Sequence, residues 1–338
     1  MKEHSEKTKR LGQFFTQKNI FHNKVFLKWF KSIPNDKKNN ILEPFAGKNG
    51  LIDMMKELNL VQAFKSFDIE PQSEDVSQND SIHNFPIGFS FCVTNPPFLA
   101  KNVASRKDIP IIIEPFSDLY EKCLDLCLKN CDYLAAIVPE SFIVSPFFKN
   151  RVFAIISLTQ KYLFDHTEHP VCLALFNPET SFDFLIYRDN KILSNYNESL
   201  TNIQTWLAPQ NPYSENIKFH VPKGNIGLFN IDATNITKQI HFCEGNLIDE
   251  DEVGYQSRLR TRIMVKAPNG KELTKRQEKG LINTCNKVLK EYRRKTQDIF
   301  ITSFKGLRSD GKYRRRLDYS TARLIMSKAY YLYFFKDN

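Results

Sequence analysis

The segment Val93-Thr94-Asn95-Pro96-Pro97-Phe98 closes an apolar run that begins at Gly88. A run that alternates in polarity and stops at two prolines predicts a buried strand ending in a rigid loop. In a parallel α/β sheet, such a loop at the carboxyl end of a strand is where the chemistry sits. Asn95 brings a carbonyl oxygen and an NH₂ group. Pro96 precedes another proline, so its backbone is confined to extended conformations, and neither proline has an N–H to give to the sheet. The loop therefore presents acceptors, the Asn95 side-chain oxygen and the Pro96 carbonyl, with the aromatic face of Phe98 beside them. Two acceptors and a stacking surface fit a planar group that carries an exocyclic amine, and adenine meets that description. A plain double-proline turn after a core strand is the alternative reading of the same residues.

The elements that must position this loop follow the order of a doubly wound sheet. Residues 40–43, the turn Pro44-Phe45-Ala46-Gly47-Lys48-Asn49-Gly50 and an amphipathic stretch over 51–60 predict a strand, a glycine-bearing turn and a helix. That is the first unit of a nucleotide-binding α/β sheet. Gly47 lets the backbone approach a ligand closely, and Glu43 puts a carboxylate where a ligand ammonium can sit. A second strand over 62–67 ends in Asp68-Ile69-Glu70-Pro71, and an acid at this tip, about 20 residues past the glycine turn, is the expected acceptor for ribose hydroxyls. Asp80, in Gln78-Asn79-Asp80-Ser81, suits an Asx-turn. Residues 132–138 predict a buried strand stopped by Pro139, and 157–164 and 170–176 predict the last two strands of the sheet. Cys123, Cys127 and Cys131 are spaced four apart along one side of a helix over 116–130 and read as buried small hydrophobes, not as metal ligands. His166 and His169 have no partner at metal spacing and read as polar loop residues.

Asn95-Pro96-Pro97-Phe98 resembles the catalytic motif of the amino-methyltransferases, which points to N6 of adenine or to a glutamine amide in a protein. Leu11-Gly12-Gln13-Phe14-Phe15-Thr16 resembles the motif that holds the methionine end of S-adenosylmethionine in one class of DNA methyltransferases, with Gln17 where the family usually has proline. The segment from Glu43 to Gly50 resembles the family's Glu-Pro-x-x-Gly-x-Gly, with Lys48 and Asn49 departing from it. Asp-Ile-Glu-Pro at 68–71 matches the pattern of acid, apolar, acid, proline, which favours Asp68 over Glu70 for the ribose and sets Ile69 against an adenine face. The family's next aspartate, which accepts from the cofactor's adenine amine, matches Asp80. An aromatic that stacks on the target base matches Phe164, a position that equally suits a core residue. With the methionine-end motif first and the recognition region last, the order is similar to that of the gamma class of N6-adenine DNA methyltransferases, the type II-like modification partners of restriction systems.

The resemblance covers about the first 180 residues. It implies a Rossmann-like S-adenosylmethionine-dependent methyltransferase sheet over 1–180, with Phe15, Thr16, Glu43, Phe45, Gly47, Asp68, Ile69 and Asp80 binding the cofactor. Asn95, Pro96, Pro97 and Phe98 would carry direct methyl transfer, without a metal or a covalent enzyme intermediate, to an adenine flipped out of duplex DNA and stacked on Phe98 and Phe164. A cognate restriction endonuclease sharing the site is a further expected partner.

Composition sets the frame for the rest of the chain. Its 338 residues, 41% hydrophobic, can build one large or two ordinary domains. No segment reaches the run of about 18 apolar residues that a membrane helix needs, and residues 1–10 lack the apolar stretch of a signal peptide, so a cytoplasmic protein is expected. Seven cysteines show no paired framework. Charge is uneven: residues 1–180 hold 21 Lys and Arg against 21 Asp and Glu, whereas residues 253–338 hold 22 against 7. Such asymmetry predicts a polyanion partner for the C-terminal part. Residues 181–338 are therefore expected to form an α+β target-recognition domain. Its expected DNA contacts are Arg258, Arg260 and Arg262 on a strand, and Arg308, Lys312, Arg314, Arg315 and Arg316 around an Asp310-Gly311 turn. Lys101 and Arg106, in the loop after Phe98, would add to them. A helix is predicted over 271–296. RNA adenine and protein glutamine are alternative substrates, and a silent DNA-binding subunit with a decayed cofactor loop is the alternative of another class.

Overall fold

The strand predicted before the double proline forms as β4 (Phe91–Thr94), and all of its residues are buried. The computed structural model describes residues 19–106, 113–158, 170–179, 181, 183–208, 214–253 and 259–335. Around β4 lie β1 (Asn40–Glu43), β2 (Ala63–Asp68), β3 (Val76–Gln78), β5 (Tyr133–Pro139), β6 (Val152–Leu158), β7 (Val171–Phe176), β8 (Leu185–Arg188) and β9 (Lys191–Asn195). Their order in one sheet is β3-β2-β1-β4-β5-β7-β6-β8-β9. The pairs from β3 through β5 are parallel, and β7 is inserted antiparallel between β5 and β6. From β1 the chain builds outward through β2 and β3 on one side, then returns to add β4 and β5 on the other. The reversal leaves a crevice at the carboxyl ends of β1 and β4, which carry Glu43 and Thr94.

Helices α1 (Lys24–Ser32), α2 (Gly50–Glu57), α3 (Lys101–Arg106) and α4 (Leu119–Asn130) belong to this part of the chain. Phe26, Trp29 and Phe30 of α1 and Ile52 and Met55 of α2 pack in one cluster with Ile41, Phe91, Val93, Ala135 and Ile137, alternate residues of the central strands. The intervening residues face the other way, where Cys92 meets Cys127 of α4 at 3.9 Å between sulfurs. A sheet covered on both faces explains why its central strands read as unbroken apolar runs. The three cysteines spaced four apart are buried and free, as expected.

The sheet departs from expectation at its far side. β6 starts at Val152, not at residue 157, because the apolar run Val152–Leu158 pairs along β7. Nor is β7 the end of the sheet. β8 pairs parallel with β6, and β9 closes on β8 as a hairpin, while Phe184 stacks on Tyr196 at 4.5 Å. The chain accordingly divides into compact units of residues 1–197 and 198–338, past the expected boundary at 180.

After α5 (Tyr196–Leu207), the second unit contains an antiparallel sheet of β10 (Ile217–Phe219), β13 (Arg260–Val265), β11 (Ile226–Phe229) and β12 (His241–Glu244), in that order. The Asp310-Gly311 turn joins β14 (Thr302–Leu307) to β15 (Tyr313–Arg316), the expected hairpin, with Gly311 at φ +78°. The predicted helix is α6 (Lys275–Thr296), opened by a reciprocal capping box between Thr274 and Gln277, and α7 (Tyr319–Phe334) follows. The unit is α+β. No helix among the described residues is long and apolar enough to cross a membrane.

Candidate functional site

The turn between β1 and α2 is built around two left-handed residues. Gly47 has φ +54° and Asn49 φ +66°, a region open to glycine and entered by asparagine more readily than by most side chains. The chain thus makes its turn with asparagine where the family pattern has a second glycine. Asn49 is buried, and its Oδ1 accepts from Ser66 Oγ of β2 at 2.6 Å. At the tip of β2, Asp68 fixes the same loop: Oδ2 accepts from Gly47 N and Oδ1 from Glu70 N, each at 2.8 Å. A carboxylate oxygen has lone pairs beyond one such bond, so Asp68 can still accept from a ligand. Burial raises its carboxyl above the ordinary value, opposed by the backbone N–H groups of Glu70 and Gly47.

Glu43 ends β1 at 2% exposure, and its Oε2 has no hydrogen-bond partner among the described residues. Burial pushes its carboxyl well above the usual carboxylate range, against the Ile52 backbone N–H, with Asp68 and Asp53 adding to the shift. A buried carboxyl with an unused oxygen is a costly interior group and a fitting receptor for a cation. Glu43, Phe45, Gly47, Asp68, Ile69 and Asp80 line one cavity of about 320 Å³, a size in the range of small-molecule sites. Ile69 is 54% exposed in that wall. Asp80 forms the anticipated Asx-turn: Oδ1 accepts from Ile82 N at 3.1 Å, and Oδ2 lies 2.7 Å from His83 Nδ1. Partial burial pushes its carboxyl up, but these His83 and backbone contacts outweigh it and lower the pKa. Phe15 and Thr16 lie outside the described residues.

The double-proline loop contributes Asn95 and Pro97 to the wall of this same cavity. Pro96 is buried, and Phe98 lies edge-on to Tyr120 with centroids 6.1 Å apart. Phe164 lies outside the described residues. One residue that sequence reasoning missed anchors the loop. Asp118 Oδ1 accepts from Leu99 N at 3.0 Å and from Tyr120 N at 3.3 Å, and Leu119 N donates to Leu99 O at 3.1 Å. Asp118 is thus both the N-cap of α4 and the clasp on the residue after Phe98. Burial raises its carboxyl to about 6, against the N–H groups of Tyr120 and Leu99. Beside it, the buried Glu121 accepts from Ser117 N, Ser117 Oγ and Ser145 Oγ, each at 3.0 Å. The signal for Asp118 was present: an aspartate immediately before an apolar-periodic stretch is a helix-start pattern.

The predicted basic contacts divide sharply. Arg262 is buried and spends its guanidinium on the carbonyls of Ile248 and Pro222. Arg315 is buried on Ile301 O and Ser303 Oγ. Arg308 pairs with Asp310 and Asp232, Arg314 Nε donates to Asp232 O at 2.7 Å, and Arg260 pairs with Glu252 at 2.9 Å. Arg262 and Arg315 are therefore interior groups, a correction to their expected place on a DNA-facing surface: the alternation that sends Arg262 to one side of β13 sends it inward. Arg316 is half-buried, Lys312 is exposed, and Lys101 pairs with Glu114 in the first unit. Arg258 and the side chain of Arg106 lie outside the described residues. No group of three His, Cys, Asp or Glu side chains among the described residues is placed to hold a metal ion.

No protein-family model and no curated protein matches the chain. Among solved structures it is similar to a candidate class I S-adenosylmethionine-dependent methyltransferase from Listeria monocytogenes, at 14% identity and TM-score 0.37 over 51% of this chain and 65% of that one. It is also similar to the methyltransferase subunit of a type I restriction-modification system from Streptococcus thermophilus, at 14% identity and TM-score 0.37 over 58% and 54%. The type IIG restriction endonuclease BpuSI is similar at 13% identity and TM-score 0.40 over 67% and 38%. The chain thus spans less than two thirds of the length of each of these proteins.

Proposed function

We propose that the chain is an S-adenosylmethionine-dependent DNA methyltransferase that modifies the exocyclic N6 of adenine flipped out of a duplex, as the modification enzyme of a restriction system. The observation that carries this reading is the shared wall: Asn95 and Pro97 line the cavity that Glu43, Gly47 and Asp68 also line. An amine held by the loop would therefore lie against the bound cofactor. S-adenosylmethionine would supply a methyl group activated by a sulfonium. Glu43 would receive its ammonium, Asp68 its ribose hydroxyls, and Ile69 and Asp80 its adenine.

The adenine amine is a poor nucleophile because its lone pair is delocalised into the ring. Accepting both N–H groups, with Asn95 Oδ1 and the Pro96 carbonyl, favours a pyramidal nitrogen whose lone pair is free to react, so the loop would act by positioning and electrostatics alone. Flipping the base costs a few kcal/mol, which stacking on Phe98, and on Phe164, would offset. Asn49 takes the αL backbone that a glycine would adopt at this position, which supports a working cofactor turn over a silent subunit despite the Lys48-Asn49 departure. The second unit, with its basic excess, would carry target recognition.

The test is incubation of the purified chain with labelled S-adenosylmethionine and unmethylated bacterial DNA, followed by nucleoside digestion and mapping. N6-methyladenine at one recurring short motif is expected. Label that enters RNA or protein glutamine but not DNA overturns the substrate, and absence of cofactor binding overturns the enzyme.

A further inference from the structure

With Arg262, Arg315 and Arg308 committed inside the second unit, the basic excess of residues 253–338 has to show elsewhere. It shows on α6. Arg276, Lys279, Lys287, Lys290 and Arg294 are all exposed. At about 100° per residue they fall within a sector of about 80° and span roughly 27 Å along the helix. The exposed Asn283 lies in the same stripe. None of the five makes an ion pair among the described residues. The helix's two acids lie off the stripe, Glu278 buried and paired with Lys275 at 2.7 Å, Glu291 on the flank 3.7 Å from Lys295.

An ordinary solvated helix face interleaves the two signs at i, i+3 and i, i+4. Here Arg276 and Lys279, Lys287 and Lys290, and Lys290 and Arg294 are like-charged neighbours at those spacings, an arrangement unfavourable until a polyanion neutralises it. The opposite side of α6 is already spent, because Leu281, Cys285, Val288, Leu289 and Tyr292 are buried. The helix therefore has no free apolar face to lay into a lipid surface. The helix, opened by its capping box, carries its cations in register along one stripe, suited to a row of phosphates rather than to base edges.

We propose that the outer stripe of α6 is the phosphate-backbone docking surface for duplex DNA, fixing affinity and orientation while sequence choice is made by other residues. This deepens the proposed function and rests on it for the identity of the nucleic acid.

The test compares the full-length chain with Lys279→Gln/Lys287→Gln/Lys290→Gln, and with Lys218→Gln/Lys223→Gln/Lys238→Gln, whose lysines are equally exposed in the same unit but off the stripe. Binding to a 30-base-pair DNA duplex is measured as a function of salt. The stripe variant is expected to lower the slope of log K against log salt by about 3 and to weaken binding on the order of 100-fold at 0.1 M salt. The off-stripe variant is expected to change the slope by less than about 1, and the Lys→Arg version of the stripe to restore it. An unchanged slope in the stripe variant, or equal flattening in both triple variants, overturns the surface. If that happens while the wild-type chain still methylates DNA, the proposed function stands without it. A wild-type chain that neither binds duplex DNA nor methylates it overturns both. Tighter stripe-dependent binding of a double-stranded RNA of the same length overturns DNA as the occupant.

Discussion

Glu43 sets burial against charge more directly than any other residue of the site. Its carboxyl is raised by burial in the free protein, so it holds a proton above the pH at which an ordinary glutamate would release it. A ligand ammonium beside it reverses that preference, and binding must then release the proton. The affinity for S-adenosylmethionine is therefore expected to rise with pH through the raised pKa and to level off above it. Glu43→Gln should weaken binding at least ~10-fold and abolish proton release, read by calorimetry in buffers of different ionisation enthalpy; unchanged proton release would remove Glu43 from the ammonium site. Asp118 gives a second titration, this one in stability. Its pKa of about 6 in the folded chain lies above the ordinary 3.8, so the folded state binds the proton more tightly than the unfolded state. The stability this group contributes is full below about pH 4 and is lost as pH rises through about 6. Asp118→Asn keeps the acceptor for Leu99 N and removes the titration. Between pH 4 and 7, the difference in unfolding free energy between wild type and variant should change by about 2–3 kcal/mol. Parallel pH curves for the two proteins would show that Asp118 titrates normally.

Among the elements, the junction of α6 with the hairpin β14–β15 turns on one buried acid. Asp232 is 0% exposed and takes a bidentate bond from Arg293 of α6 at 2.9 and 3.0 Å, while its backbone carbonyl receives Arg314 of β15. Asp232→Ala removes the bidentate partner of Arg293, which keeps Asp298 at 2.8 Å, so it should destabilise the second unit by about 1–3 kcal/mol in chemical denaturation; no measurable loss would mean that Asp298 alone suffices to hold Arg293. The same junction shows what the sequence made legible and what it did not. Strand, turn and helix around Gly47, the cysteine face of α4 and the Asp310-Gly311 hairpin were readable because each depends on neighbours a few residues apart. The burial of Arg262 and Arg315 was not, because charge is visible in a sequence while partners are not: Asp232 and Arg293 are 61 residues apart, and Arg262 and Pro222 are 40 apart. β8 and β9 escaped notice for a related reason, being short, half-polar strands at a sheet edge whose identity comes from pairing with β6.

At the scale of the whole molecule, charge and chemistry are partitioned along the chain. The balanced N-terminal 180 residues contain every described cofactor candidate, and the excess of 22 cations over 7 acids lies after residue 252. That partition was legible in composition alone. Which cations serve a partner was not, since composition does not distinguish an arginine holding two carbonyls from one facing solvent. Division of the chain into two compact units implies that two ligands should leave separate footprints in hydrogen exchange, because protection follows the segment a ligand holds. S-adenosylmethionine should slow exchange in peptides covering 43–53, 68–72, 79–83 and 95–99, where Gly47 N and Glu70 N bond to Asp68 and Leu99 N to Asp118, and leave 275–296 unaffected. Duplex DNA should slow exchange over 275–296. Protection of 275–296 by cofactor alone would mean that the cation stripe responds to the methyl-donor site, and the partition of tasks between the units would have to be abandoned.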